Sequence, residues 1–203
     1  GRALLDYHRG RRNGRLEIRS DLWEDERVPV ADYYRPAEAS LPEIERRALA
    51  RCRGRVLDGG AGAGRHALEL ARRGLEVVAV DVDPDAVTVA RGRGVPDCRC
   101  GDLFELGGER FDTVLLMMHG LGVVGDIAGL GRFLERLPEV LAQGGQLLCD
   151  SADRAVSVDP DDLEAFRLAH GAGRYAGEVR FQLAYDDLEG EWYPWLFVDP
   201  ETL

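Results

Sequence analysis

Hydrophobic and polar positions alternate along this chain in blocks of changing period. Apolar residues at Leu41, Ile44, Ala48 and Leu49 repeat at helical spacing, and Ser40 with Glu43 reads as a capping box around Pro42, predicting a helix over 40–52. The run Arg55-Val56-Leu57-Asp58 is a short buried strand. It enters a loop with glycine at 60, 62 and 64, and an amphipathic helix follows on Ala67, Leu70 and Ala71, stopped by Gly74. Further strands are expected at Glu76–Asp81, Asp97–Asp102, Phe111–Met118 and Gln146–Asp150. The third of these is apolar nearly throughout, as a strand buried on both faces of a parallel sheet should be. Between them lie a helix from Asp83-Pro84 to about Arg91 and a longer one on Leu130, Phe133, Leu134, Leu137 and Leu141, which Pro138 should kink or restart; Gly144-Gly145 should then separate helix from strand. Strand and helix in alternation predict an α/β fold, a doubly wound, mostly parallel sheet with helices on both faces.

The ends of the chain are different. Residues 1–39 are charged and lack strong periodicity, so a short helix and loops, an arm over the domain, are expected there. Residues 152–203 read as a helix from Asp159 to His170 and then an antiparallel hairpin. Its strands, 179–185 and 192–198, alternate (Val179, Phe181, Leu183, Tyr185; Tyr193, Trp195, Phe197) around a turn at Asp186–Glu191. The hairpin carries more large aromatics than a two-stranded element needs for itself, so one face should pack on the domain and part of the other should wall a pocket. It is expected to be a lid rather than an edge of the main sheet. Asp199-Pro200-Glu201 has the signals that start a helix, so the natural domain is expected to continue past Leu203. The expected organisation is thus an arm (1–39), a core (40–151) and a lid or edge segment (152–203) in one domain.

Composition narrows the function. The 203 residues carry a net charge of −11, and all 26 basic residues are arginine. An acidic chain lacks the basic face that a nucleic-acid partner requires. No run of eighteen apolar residues and no signal pattern occurs, so neither a membrane partner nor export is expected. Cys52, Cys98, Cys100 and Cys149 lack zinc spacing, which points to reduced thiols in the cytoplasm and to no metal.

The chemistry concentrates around the glycine loop. Glycines there permit tight backbone turns and the close approach of a ligand, and the following helix N-terminus offers free amides. Asp81 ends the next strand about twenty residues on, where a carboxylate can take a ribose diol. A dinucleotide site would share these features, but its fingerprint is G-x-G-x-x-G, whereas the glycines here alternate strictly behind Asp58. That order resembles motif I of the class I S-adenosylmethionine-dependent methyltransferases. The resemblance extends over roughly 53–151, through Asp81, Gly101-Asp102, Phe111-Asp112 and Leu141-x-x-Gly144-Gly145. It implies S-adenosylmethionine as cofactor, with contacts from Asp58, Gly60, Gly62, Gly64, Asp81, Val82, Asp102, Leu103 and Met118: the loop under the methionine, Asp81 on the ribose, Asp102 near the adenine. It also implies methyl transfer to a small molecule by in-line displacement.

His119, at the carboxyl end of a central strand, is a candidate general base or else a histidine that packs and bonds a backbone carbonyl. His66, in the first helical turn, is structural or lines the loop. Tyr33, Tyr34, Arg35, Gly120, Trp192 and Trp195 are candidates for the substrate pocket. Two rivals remain. One is a nicotinamide-dependent oxidoreductase, disfavoured by the glycine spacing, and the other a non-catalytic cofactor-binding subunit of the same fold. The acceptor, the attacking atom and the oligomeric state are open.

Overall fold

A computed structural model describes residues 1–35, 41–152 and 174–203. Its core is a five-stranded parallel sheet in the order β5-β4-β3-β6-β7, formed by β3 (Arg55–Gly59), β4 (Glu76–Asp81), β5 (Asp97–Cys100), β6 (Phe111–Leu116) and β7 (Leu141–Cys149). Helices α3 (Glu43–Arg51), α4 (Arg65–Arg72), α5 (Pro84–Gly92) and α6 (Ile127–Val140) cover it. Val56, Ala79, Leu115 and Leu70 pack in one buried cluster, while Leu57, Val78, Val114, Leu116 and Phe133 pack in another. Successive strands move outward from β3 on one side, and β6 then returns to its other side. The order therefore reverses between β3 and β6, which opens a crevice at their carboxyl ends.

The α/β expectation holds, and local signals explain where boundaries shift. Asp83 caps α5, accepting from Asp85 and Ala86 N–H at 2.8 and 3.2 Å with Pro84 behind it. Helix α3 begins at Glu43 with Pro42 as N-cap and no side-chain cap. Ser40, the expected cap, lies outside the described residues, as does the helix expected over 159–170, and Glu43 instead pairs with Arg46 and Arg47. Pro138 lies in the last turn of α6 without interrupting it, and Arg110 donates to the Pro138 and Leu141 carbonyls, each at 2.8 Å. Strand β7 starts directly after the helix. Gly144-Gly145 lies within it as an irregularity in pairing with β6, between Phe111↔Leu141 and Thr113↔Gln146.

The first 35 residues depart most from expectation. They form α1 (Arg2–His8), strands β1 (Arg15–Ser20) and β2 (Glu26–Pro29), and α2 (Val30–Tyr34). The strands belong to a second, antiparallel sheet with β8 (Glu178–Tyr185), β9 (Leu188–Glu189) and β10 (Tyr193–Leu196), in the order β10-β8-β1-β2 with β9 on β8. The C-terminal hairpin thus pairs with the N-terminal strands and not with β7. Val179, Leu196 and Val198 of the hairpin region are buried, the last two against the main sheet's core. After Phe197-Val198 the chain makes a turn in which Asp199 accepts from Glu201 and Thr202 N–H at 2.9 Å, the arrangement of a helix start.

Candidate active site

The crevice at the β3–β6 reversal is deepened by the antiparallel sheet into a cavity of about 440 Å³. Its floor is the glycine loop, Gly59 to Gly62, with Arg65 and His66 at the start of α4, and one side is Met117 to Gly120 after β6. The facing wall consists of Leu16, Ile18, Trp23, Phe181, Leu183, Tyr193, Trp195 and Phe197.

The glycine loop is held from beneath and from the side. Gly60, Gly62 and Gly64 have φ of 67°, 52° and 74°, a region L-residues with a side chain rarely occupy. Around Gly60 and Gly62 nothing lies within 4 Å of where a Cβ would be, so the loop surface is an open cradle. Asp81 flanks it, accepting from Gly62 N–H at 2.8 Å and Asp83 N–H at 2.9 Å. Each oxygen keeps a further acceptor site. Asp58 is buried below the loop, accepting from Ala67 N–H at 3.1 Å. It braces the start of α4 instead of facing the cavity, because the side chain preceding Gly59 points under the turn.

Beside Asp58 lies a buried charge cluster that the sequence did not announce. Glu45 of α3 contacts Arg65 and bonds His66 Nε2 at 2.8 Å, while His66 Nδ1 stands 3.9 Å from Asp58. Burial holds the His66 imidazole below its ordinary pKa, against the pull of Asp58, and holds the Asp58 carboxyl above its own. The Arg65 guanidinium falls to about 10, chiefly by desolvation and then by Arg35 and Arg93. Although Arg65 is in ionic contact with Glu45, none of its three nitrogens completes a hydrogen bond among the described residues. It lines the cavity beside the glycine loop as a buried cation with N–H groups to give. The only sequence signal for Arg65 was its place directly after the last glycine.

At the end of β6, Met118 and His119 adopt successive left-handed conformations, φ 61° and 59°. For non-glycine residues such strain is on the order of 1–3 kcal/mol each and gathers at functional sites. Asp150, just past β7, stabilises the bend, both carboxylate oxygens lying 2.9 Å from His119 N, with His119 Nδ1 3.6 Å from Oδ2. The imidazole lies edge-on to Phe197, ring centroids 5.3 Å apart, and borders the cavity. His119, Asp150 and the glycine loop thus meet at the carboxyl ends of three neighbouring strands.

The remaining sequence candidates divide. Tyr33, Gly120, Met118 and Trp195 line the cavity. Tyr34 is buried away from it: its ring packs on Tyr7 and lies under Arg93, whose guanidinium also takes the Tyr34, Ala63 and Arg35 carbonyls at 2.7–2.8 Å. Arg35 directs its Nε to the Asp32 carbonyl. Trp192 lies between β9 and β10, 38% exposed and outside the cavity lining, since the alternation of the strand begins only at Tyr193. Val82 is exposed and Leu103 half-buried under Gly59; Asp102 accepts from Phe104 N–H at 2.8 Å at the head of a short 3-10 turn. These three stand at the carboxyl ends of β4 and β5, on the outer side of Asp81. Phe181, Tyr193, Trp195 and Phe197, among the hairpin aromatics expected to wall a pocket, line the cavity, whereas Trp23, Glu26 and Asp150, which line or brace the site, were not among the sequence candidates.

Comparison with known proteins agrees with this architecture. A family model described as "Methyltransferase domain" matches residues 56–145. A ubiquinone biosynthesis O-methyltransferase of Azorhizobium caulinodans is 31% identical over 171 residues, 68% of this chain and 65% of the relative. A magnesium-protoporphyrin O-methyltransferase of Rhodobacter capsulatus is 41% identical over 69 residues, 31% of each chain. The chain therefore spans at most about two thirds of these curated relatives. A crystal structure of an S-adenosylmethionine-dependent methyltransferase from Bacteroides fragilis, in complex with S-adenosyl-L-homocysteine, superposes with a TM-score of 0.86 at 33% identity, covering 99% of this chain and 81% of the other. With the parallel sheet, the alternating-glycine turn and that relative in agreement, the chain belongs to the class I S-adenosylmethionine-dependent methyltransferases.

Proposed function

We propose that this chain transfers a methyl group from S-adenosylmethionine to a small-molecule acceptor. The observation that carries the reading is a cavity lined by an open glycine cradle and by a histidine at the end of the neighbouring strand, with a carboxylate that keeps spare acceptor sites on the cradle's flank. When bound, the cofactor supplies a methyl group on a sulfonium, an electrophile that needs no further activation. Asp81 holds the ribose hydroxyls, the glycine loop lies along the methionine portion, and Arg65 receives its carboxylate. Asp102, Val82 and Leu103 border the adenine. The aromatic wall excludes water and orients the acceptor, and alignment of this kind supplies on the order of 7–11 kcal/mol of rate enhancement. His119 takes the proton of the acceptor, its imidazole turned into the cavity by the strained backbone that Asp150 holds. The acidic balance and the four unpaired thiols support a cytoplasmic enzyme without a nucleic-acid partner. Among the described residues, no helix is long and apolar enough to cross a membrane.

Thermal unfolding with S-adenosylhomocysteine and with NAD tests the cofactor. At a hundred times its dissociation constant, S-adenosylhomocysteine should add about 2.7 kcal/mol of stability and NAD none. With an acceptor in hand, His119→Gln should lower kcat by roughly 10²–10⁴ and leave S-adenosylhomocysteine affinity unchanged. An unaltered kcat would remove His119 from the mechanism.

A further inference from the structure

The cavity has two chemically different linings. One, the glycine loop with Arg65 and His119, accounts for the cofactor and the proton. The other, from the antiparallel sheet and α2, is Glu26, Tyr33 and Tyr193 together with Trp23, Phe181 and Trp195. The rings form a connected wall: Trp23 to Phe181 with centroids 5.9 Å apart, Phe181 to Tyr193 at 6.4 Å, and Tyr193 to Trp195 at 6.2 Å. Among the described residues Glu26 is the only carboxylate lining the cavity, Asp81 standing on the flank of the glycine loop outside that lining, and no hydrogen bond or ion pair engages the Glu26 side chain. Its neighbour Arg27 is committed to Glu17 at 2.9 Å, and Arg65, the only arginine lining the cavity among the described residues, is in contact with Glu45.

We infer that the acceptor is an apolar, ring-bearing molecule with a cationic nitrogen at the end remote from the nucleophile, and that Glu26, with the ring faces of this wall, selects for that cation. The inference rests on the methyl-transfer reading for which end of the acceptor reacts. Aromatic faces attract an ammonium group through their quadrupole, and a carboxylate beside them completes the charge. An anionic group placed against this wall would be repelled by Glu26. The two phenols reinforce this selection. Burial raises the Tyr33 hydroxyl, with Glu26 adding to the shift, and pushes Tyr193 up to about 12, with Tyr33 adding, so both remain neutral donors beside the carboxylate.

Three probes of one shape separate the charge from the ring: 4-hydroxyphenethylamine, 4-ethylphenol and 4-hydroxyphenylacetate, each titrated calorimetrically into protein saturated with S-adenosylhomocysteine. The amine should bind at least about tenfold more tightly than the neutral phenol, with the acid weakest. Glu26→Gln should bring amine and neutral phenol to within about twofold of each other, while S-adenosylhomocysteine affinity stays as in the wild type. Equal affinity for amine and neutral phenol, absence of amine binding, or a preference that survives in Glu26→Gln would overturn the inference. Failure of S-adenosylhomocysteine to bind would instead refute the proposed function, and the same titrations without it would still report on Glu26.

Discussion

Gly60 and Gly64 both need a left-handed backbone, yet a methyl group added to each would meet different surroundings. At Gly60 the space is empty, so Gly60→Ala should cost about 1–2 kcal/mol of stability through conformation alone. At Gly64 the added carbon would stand 2.6 Å from Val95 Cγ2 and 3.1 Å from Ala90 Cβ, so Gly64→Ala should be clearly worse in urea unfolding. Equal losses would show that the loop, and not its packing on α5, sets the requirement. Asp81 gives a second expectation at this scale. Asp81→Ala removes a charged acceptor from both the loop and the ribose position and should weaken S-adenosylhomocysteine binding by about 1.5–3 kcal/mol in calorimetry, with the fold intact by circular dichroism. The alternating glycines and Asp81 were legible in the sequence because their roles depend on local backbone and on position at a strand end. Asp58 was legible as important but not in its role, since only packing reveals that it points beneath the turn.

At the scale of elements, α3 is joined to α4 by the charges under the loop. Glu45 is the shared anion for Arg65 and His66, and all three are buried. Glu45→Ala leaves a buried guanidinium without its countercharge and should cost about 3–5 kcal/mol in denaturant unfolding. Glu45→Gln, which keeps a hydrogen-bond acceptor, should cost less. A loss within experimental error in Glu45→Ala would mean that water reaches the cluster. Helical spacing had assigned α3 as a helix with an apolar stripe on Leu41, Ile44, Ala48 and Leu49, and it gave Glu45 no role. Which side of a short helix faces a buried cation is decided by its neighbour and not by its own period. Strands β1 and β2 were missed for a related reason. Their charged rows, Glu17 with Arg19 and Arg27, and Arg19 with Glu189, form ion pairs only once the sheet is assembled.

Over the whole molecule, charges also tie the amino ends of the parallel strands. Arg99 in β5 and, after it, Arg55 at the start of β3 contact Glu109 before β6, and together they hold its carboxyl at about 2, against an ordinary 4.5. The native chain therefore binds fewer protons than the unfolded chain in that interval. The contribution is present above pH 4.5 and is lost as pH falls toward 2. Stability measured across that range should fall less steeply in Glu109→Gln than in the wild type, and the difference should shrink in high salt because the group is exposed. An identical acid limb in the two proteins would exclude the triad from acid stability.

Period, turn residues and strand-end acids by themselves determined the parallel core. Each signal there is local: apolar runs for strands buried on both faces, glycines for left-handed turns, Asp83-Pro84 for a helix start. The same local signals placed His119 at a strand end and showed that the hairpin carried surplus aromatics. What covers the crevice was decided only in three dimensions. Glu17 pairs with Ala184 and Phe181 with Ser20 across more than 160 residues of chain, and a pairing of that separation leaves no periodic trace in either strand. The cavity's facing wall, its Glu26 and the bracing of His119 by Asp150 arise from such contacts. Their physical basis is complementarity between surfaces that meet only after folding.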